Sequence, residues 1–204
     1  MVETSDGRSA RRERNRAAVL DALIELTTEG ADDPSIDDIA DRAGVSYRSV
    51  YRYFNDRSEM MDAATDRAMA WIQPLVQRAS STADPSDPLD HRIDAVVDAR
   101  VELYFRIAET IRAAMTKSFS NRKIHEHFLN IRRVSRIQIH DQFHNELKRF
   151  SPEECELRIT SIDQVLSFMG LDYVIYERKH TREELERYLR GALRAALTVP
   201  EVGT

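Results

Sequence analysis

Cysteine, glycine and proline are all scarce in this chain. Cys155 is the only cysteine among 204 residues, so no disulfide can form within the chain, and a thiol-based site would have to rely on that single side chain. The six glycines and six prolines leave long uninterrupted segments between them. Strict alternation of polar and apolar residues, which indicates strands, is also missing. Together these features predict an all-α fold.

Long hydrophobic runs are absent as well. No apolar segment approaches the roughly 20 residues that a membrane span needs. The first residues, MVETSDGRSARRERNR, contain no apolar segment after their charges, unlike a signal peptide. We therefore expect a cytoplasmic protein that does not bind a membrane.

The net charge of −5 hides an uneven distribution of charge. Residues 8–16 hold five arginines and one acid, residues 25–41 hold seven acids and no base, and residues 42–57 hold four arginines and one acid. Affinity for phosphate depends on where the cations lie and not on their total. The two basic segments are therefore compatible with nucleic-acid binding, whereas the acidic segment is expected to be a solvated face.

Capping signals predict several short helices in the first third of the chain. Ser35 precedes a helix that should end at Gly44, and Ser46 can cap the helix that follows. Asp56 and Glu59 form a D-x-x-E capping box for the next helix. Short capped helices joined by a tight turn, with a longer helix before them, predict a helix-turn-helix unit.

The helix YRSVYRYF has two different faces. Val50 and Phe54 point to one side, whereas Arg48 and Arg52 point to the opposite side, flanked by Tyr51. Arginine can donate two hydrogen bonds to guanine, and tyrosine can reach a phosphate or a thymine methyl group. The exposed face therefore suits a DNA major groove.

The segment SIDDIADRAGVSYRSVYRYFNDRSEMM, with a long helix before it, resembles the DNA-binding domain of the TetR family of bacterial transcriptional regulators. The A-G-V-S turn, the Y-x-Y-F end of the helix and the basic Arg57 carry the resemblance, which spans Arg11–Met61. Arg57 stands where the family usually has lysine. The resemblance implies an N-terminal three-helix helix-turn-helix DNA-binding domain with a basic arm, residues 1–56. A larger helical effector-binding and dimerisation domain, residues 57–204, is expected to follow.

The resemblance also assigns roles to individual positions of the first domain. It implies base contacts by Tyr47, Arg48, Ser49 and Arg52. It implies phosphate contacts by Ser35, Ser46, Tyr51, Tyr53 and Arg57. For Tyr51 and Tyr53, packing inside the domain is an equally good interpretation. The arginine-rich arm is expected to add nonspecific attraction to DNA.

Long helices are predicted beyond the first domain. They cover residues 56–78, where Pro74 should kink the helix or end its regular part, and residues 89–111, 121–150 and 153–178. Arg100 falls within an apolar stripe, which is costly unless the cation is paired or reaches water. It could bind an acidic effector, or it could pair with an internal carboxylate.

By resemblance, an effector pocket is expected between the fourth and seventh helices. Its predicted wall consists of Trp71, Arg100, Tyr104, Met115, Phe119, Phe128 and Ile131. Aromatic rings and methionine offer adaptable apolar surface, so a small, mainly hydrophobic effector is expected.

The end of the chain is predicted to mediate dimerisation. Residues 153–178 carry two apolar stripes, and a helix that is apolar on two faces must be covered on both. The resemblance implies a four-helix interface between the last two long helices of each subunit. A buried central helix in a monomer is the alternative. The predicted interface residues are Leu157, Phe168, Leu171, Ile175, Leu189 and Leu193.

These features predict a ligand-responsive transcriptional regulator, most simply a homodimeric repressor that a small effector releases from double-stranded operator DNA. A helical interaction adaptor with a vestigial DNA-binding unit is the alternative. An enzyme would have to use Cys155 or the pair His140 and His144, and no nucleophile elbow, phosphate loop or metal signature accompanies them. No cofactor, catalytic residue or metal ligand is predicted.

Overall fold

The computed structural model describes residues 3–80, 83–119 and 121–198, and within these ranges it contains helices and no strand. This confirms the predicted all-α class. The helices are α1 (Glu3–Thr28), α2 (Ile36–Ala43), α3 (Tyr47–Tyr53), α4 (Arg57–Ser80), α5 (Leu89–Ser118), α6 (Arg122–Gln142), α7 (His144–Leu147), α8 (Pro152–Leu166), α9 (Phe168–Asp172) and α10 (Arg182–Leu197), with a π-helical turn, Tyr173–Glu177, after α9. None of the described helices is long and apolar enough to cross a bilayer.

The chain forms two compact units. The first contains the residues up to Gln73 together with Glu109–His125, and the second contains Pro74–Ala108 and the residues from Glu126 onward. Helices α1 to α4 supply the core of the first unit. Its buried side chains are Val19, Leu20, Ala22, Leu23, Ile39, Ala40, Val50, Tyr53, Phe54, Met60 and Ala64. Each large apolar side chain buried in this way contributes about 1.5–3 kcal/mol.

The core of the second unit lies between α5, α6, α8 and α10. Its fully buried side chains include Val97, Val101, Phe143, Ile162, Leu166 and Leu185. Arg158, in the middle of α8, donates to the carbonyl of Ala196, near the end of α10, at 2.6 Å, and this bond joins the two helices. This pairing leaves one side of each helix at the surface.

Charged side chains four residues apart on α5 pair with arginines of α10. Arg190 lies 2.7 Å from Asp94 and 2.5 Å from Asp98, and Arg194 lies 2.8 Å from Asp90. The pairs are solvated, so each contributes about 0–1 kcal/mol. Their repeat along the two helices fixes which residues of α5 lie opposite α10.

The long helices predicted for the second half are interrupted in the structure. Residues 121–150 form α6 and α7, which meet at Phe143, and residues 153–178 form α8, α9 and the π-helical turn. Pro74 lies inside α4, which continues to Ser80, so the proline does not end the helix.

Three of the six predicted dimer residues are wrong, because the chain buries them in its own core. They are Leu171, Leu189 and Leu193, which are 1%, 0% and 0% exposed. A side chain without exposed surface cannot contact a partner subunit. Leu157 is 62% exposed, whereas Phe168 and Ile175 are partly buried against the core. Dimerisation through this region stays a prediction.

Candidate nucleic-acid interface

The turn between α2 and α3 is fixed by hydrogen bonds at both ends of α2. The Ser35 hydroxyl accepts from the Asp38 N–H, and the Asp38 carboxylate accepts from the Ser35 N–H, each at 3.1 Å. Hydrogen bonds from the Ser35 hydroxyl and N–H hold the pKa of Asp38 below its ordinary value. Gly44 has φ of 65° and donates its N–H to the carbonyls of Ala40 and Asp41. The predicted cap and turn positions are confirmed.

Four side chains of α3 are exposed, while Val50 anchors the helix in the core. Tyr47 donates its hydroxyl to that of Tyr51 at 3.2 Å, and the two rings lie 5.0 Å apart. This hydrogen bond raises the pKa of Tyr47, so the phenol stays neutral at physiological pH. Among the described residues, Arg48 has no hydrogen-bond partner. Arg48 is therefore placed to donate to an external acceptor, and Arg52 is exposed on the same helix.

The two serines at the start of α3 hydrogen-bond to each other, with 2.9 Å between the hydroxyls of Ser46 and Ser49. Ser46 occupies the N-cap position, but its side chain makes no hydrogen bond to a helix N–H. Arg52 Nη2 lies 3.5 Å from the Ser49 hydroxyl, which is half-buried. The predicted DNA contacts of both serines stay predictions.

Tyr53 packs inside the first unit and is only 6% exposed. Its hydroxyl accepts hydrogen bonds from Asn15 at 3.3 Å and Arg52 at 3.4 Å. Burial acts to raise the pKa of this phenol, but these hydrogen bonds outweigh it, and the pKa lies below its ordinary value. The position corresponds to the packing alternative and leaves little surface for a phosphate.

Arg57 is attached to the loop before α2. Its guanidinium forms an ion pair with Asp33 and donates to the carbonyl of Pro34 at 2.8 Å. The side chain remains 37% exposed. A DNA phosphate would have to compete with Asp33, so a phosphate contact by Arg57 stays a prediction.

Arg42 links α2 to α1 through the acidic segment. It donates to both carboxylate oxygens of Glu29, at 2.9 and 2.8 Å, and to Glu25 at 3.3 Å. These two-pronged hydrogen bonds lower the pKa of Glu29. The acidic segment was expected to be a solvated face, and the structure shows that part of it neutralises Arg42.

The basic segment at residues 8–16 is helical, because α1 includes it. Arg8, Arg11 and Arg12 are exposed and lie three or four residues apart, on the side of α1 that also carries Asn15. Since Asn15 donates a hydrogen bond to Tyr53 at the end of α3, this side of α1 lies next to α3 and adds cationic side chains beside it. The segment is therefore a helical extension and not a separate arm.

The sequence of this region matches a known family. Residues 19–64 match the family model described as bacterial regulatory proteins, tetR family, and that range contains α2, the turn and α3. Over this region the chain is therefore similar to the tetR family.

Individual proteins are similar to this chain in sequence or in fold. The HTH-type transcriptional repressor LfrR of Mycolicibacterium smegmatis is 36% identical over 99 residues, which cover 47% of this chain and 48% of LfrR. The match thus spans about half the length of this curated relative.

Two solved structures show the same fold. A tetR-family transcriptional regulator from Streptomyces coelicolor has a TM-score of 0.67 at 23% identity, covering 90% of this chain and 80% of that one. A putative regulator from Saccharomonospora viridis, solved in complex with choline, has a TM-score of 0.66 at 15% identity, covering 88% of this chain and 95% of that one.

The predicted effector-pocket residues divide between the two compact units. Trp71, Met115 and Phe119 belong to the first unit, and Arg100, Tyr104, Phe128 and Ile131 belong to the second. Trp71 and Phe119 are 52% and 97% exposed. Tyr104 is buried and donates its hydroxyl to Asp172 at 2.8 Å. The predicted wall stays a prediction.

Trp71 lines a groove of the first unit that the sequence did not predict. The groove runs along α1 and α4 and has a volume of about 1080 Å³. Leu20 and Ile24 supply apolar surface, and the pair Asp21 and Arg67, 2.7 Å apart between Oδ2 and Nη2, supplies charge.

The sequence also did not reveal a buried ion pair in the second unit. Arg92 and Glu146 are 3% and 5% exposed and share two hydrogen bonds, of 3.0 and 2.6 Å. Arg92 also donates to the carbonyls of Asp87 at 2.8 Å and Gln142 at 2.6 Å. All of its hydrogen-bonding nitrogens are thus engaged, which marks a structural arginine.

Proposed function

We propose that this tetR-family protein is a cytoplasmic, ligand-responsive transcriptional repressor that binds operator DNA as a homodimer. The observation that carries the proposal is the exposed face of α3. Tyr47, Arg48, Tyr51 and Arg52 project from a helix whose start is set by the Gly44 turn. A helix presented in this way fits the major groove, where arginine distinguishes guanine by two hydrogen bonds.

Phosphate contacts would position this helix without reading sequence. Arg8, Arg11 and Arg12 extend the cationic face along α1. In this proposal Arg48 and Arg52 contact bases, and the arginines of α1 attract DNA of any sequence. Salt should therefore weaken all DNA binding, and loss of Arg48 should weaken mainly the specific part.

Dimerisation is proposed to use the exposed side of α8 and α10. Leu157 on α8 and Tyr188 on α10 are 62% and 49% exposed, and Gly191 and Ala195 on the same side of α10 allow close approach. A two-fold dimer would present two recognition helices to half-sites about 34 Å apart, or a multiple of that distance.

The proposed effector is a small molecule with a mainly apolar body. The fold neighbour from Saccharomonospora viridis was solved with choline, so this fold can hold a small molecule. Release of DNA requires that the effector bind the DNA-incompetent arrangement more tightly than the DNA-bound one.

The test begins with selection of binding sites from a pool of random duplexes by the full chain. We expect an inverted repeat. Arg48→Ala should lose about 1–3 kcal/mol on the selected duplex and little on a scrambled one. Arg106→Ala, an exposed arginine of α5, is the matched control and should lose nothing on either duplex.

Two results would contradict the proposal. A pool without an enriched sequence would favour the adaptor alternative, in which the helix-turn-helix no longer reads DNA. An equal loss on selected and scrambled duplexes would remove Arg48 from base reading.

A further inference from the structure

Arg100, on α5 in the second unit, has a buried nitrogen that lacks a hydrogen-bond acceptor among the described residues. Its Nε has no exposed surface and no hydrogen-bond partner among the described residues. Within the described ranges, the only hydrogen bond of the guanidinium runs from Nη2 to the hydroxyl of Ser135 on α6, at 3.3 Å. Ser135 is itself 8% exposed. A buried donor without an acceptor typically costs about 1–3 kcal/mol, so the arrangement needs an explanation.

A second arginine on the same helix shows how this protein satisfies a structural cation. Arg92 lies two turns earlier and donates to the two oxygens of Glu146 and to two backbone carbonyls. In place of those four acceptors, Arg100 donates to one neutral hydroxyl, that of Ser135. Arginine binds a carboxylate best through two parallel hydrogen bonds, and among the described residues no carboxylate is hydrogen-bonded to Nε or Nη2 of Arg100.

The carboxylate of Asp163 does not fill this role. Burial lowers the pKa of Arg100, and the charge of Asp163 on α8 only partly opposes that effect. Asp163 makes no hydrogen bond to Arg100 within the described residues. The guanidinium remains charged, because arginine keeps its proton at any physiological pH.

The neighbouring side of α6 combines polar and apolar groups. His127, Ile131 and Ser135 follow one another at four-residue spacing, which places them on the same side of the helix. His127 also has a buried ring nitrogen, Nε2, without a partner in the described part of the chain. Unmet polar atoms beside an aliphatic side chain are typical of a site for a small molecule with one polar end.

We propose that Arg100 and Ser135 form an internal site for the carboxylate of a small, otherwise apolar molecule. The carboxylate accepts from Nε and Nη2 of Arg100 and from the Ser135 hydroxyl, and the apolar body lies against α6. This site rests on the proposed ligand-responsive function and names the chemical class of its effector.

The probe is benzoate, and its neutral isostere benzamide is the control ligand. Titration calorimetry on the full chain without DNA should show that benzoate binds wild type and that Arg100→Met binds it at least tenfold more weakly. Benzamide should bind both proteins with similar, weaker affinity. Arg106→Met, the same substitution at an exposed position of α5, should bind benzoate as wild type does.

A direct readout of the unpartnered atom does not depend on a variant that folds. In the ¹⁵N–¹H spectrum of wild type, the Nε–Hε signal of Arg100 should shift downfield with benzoate and stay in place with benzamide. Arg100→Lys, which keeps the charge, should lose this signal and retain part of the benzoate affinity.

Three results would overturn the carboxylate site: no benzoate binding to wild type, equal benzoate affinity in wild type and Arg100→Met, or an Nε signal that benzoate leaves unmoved. Arg100 would then be a structural cation that water and Asp163 satisfy. Because the titrations contain no DNA, such a failure leaves the sequence-specific DNA binding of the selected duplex untouched. Failure of the DNA experiment alone would leave the anion site standing.

Discussion

At the scale of single residues, the pair Arg92 and Glu146 is the most strongly buried charge in the described structure of the second unit. The guanidinium is held by four hydrogen bonds and lies 5.7 Å from the ring centre of Phe143. Replacing a buried ion pair by apolar groups can be neutral, whereas removing one partner leaves an uncompensated charge. The pair therefore acts as a cross-link between the start of α5 and the segment after α6.

Glu146→Gln tests this cross-link. We expect a loss of about 3–5 kcal/mol in the free energy of unfolding, because Arg92 stays charged in a buried site. Urea unfolding followed by circular dichroism measures the change. Glu156→Gln removes the partner of Arg136 in a solvated pair and should cost less than about 1 kcal/mol. Equal losses in the two variants would show that burial of the first pair does not matter.

The same carboxylate should make stability depend on pH. Burial acts to raise the pKa of Glu146, but the hydrogen bonds and charge of Arg92 outweigh it, so the folded pKa lies below its ordinary value. The ionised Glu146 therefore stabilises the folded protein fully above the pKa of the unfolded carboxyl, about 4.3. This contribution to the free energy of unfolding is lost as the pH falls through the pKa of Glu146 in the folded protein. Urea midpoints from about pH 7 to about pH 3 should show the gap between wild type and Glu146→Gln narrowing in acid. A constant gap would contradict this assignment.

Periodicity predicted some of these residues and missed others for a physical reason. The exposed positions of Arg48 and Arg52 follow from helical spacing around Val50, which is local information. The pairing of Arg92 with Glu146 joins positions that only tertiary packing brings together. Tyr53 could not be assigned from spacing alone, because it is buried in a core that several helices share and its hydroxyl accepts from Asn15 of α1.

At the scale of elements, the break between α8 and α9 is set by one serine. Ser167 adopts an extended backbone, donates its hydroxyl to the carbonyl of Gln164 at 2.7 Å and accepts from the N–H of Gly170 at 3.1 Å. These bonds end one helix and begin the next. A side chain at Gly170 would place its Cβ 2.5 Å from the Gln164 carbonyl oxygen and 2.9 Å from that of Val165.

Gly170→Ala should therefore destabilise the protein, although alanine favours helices. Both close atoms belong to the backbone and cannot rotate away, so we expect a loss of about 1–3 kcal/mol in thermal or urea unfolding. Gly7→Ala, in α1 with nothing within 4 Å of the added Cβ, should cost nothing and could gain up to about 1 kcal/mol. If Gly170→Ala left the free energy of unfolding unchanged, α8 and α9 would be able to move apart without loss of stability.

The elements of the first unit could be predicted because their signals are local. Ser35 and Gly44 lie at the two ends of one short helix, and the structure confirms both positions. Residues 153–178 carry an uninterrupted apolar pattern, so a single helix was expected there. The sequence contains Ser167 and Gly170, but the apolar pattern runs through both positions and does not show that Ser167 adopts an extended backbone.

At the scale of the whole molecule, the sequence predicted a DNA-binding region and a larger helical region. The two compact units do not coincide with a boundary at residue 56, since the first unit also takes in Glu109–His125. Helices α5 and α6 therefore contribute residues to both units. A pocket wall assembled from several long helices cannot be read from the spacing within any one of them.

The proposed dimer can be tested through exposed apolar residues of α8 and α10. Leu157 and Tyr188 are exposed, so glutamate at both positions should leave the fold intact while it places charge in a proposed apolar contact. We expect this double variant to sediment as a monomer.

The double variant should also bind the selected inverted repeat at least tenfold more weakly. The reason is that two linked α3 helices gain an effective concentration that a single α3 helix lacks. Leu129→Glu, at a 54% exposed position of α6, is the control and should remain dimeric. A folded double variant that sediments as a dimer would place the interface elsewhere on the molecule.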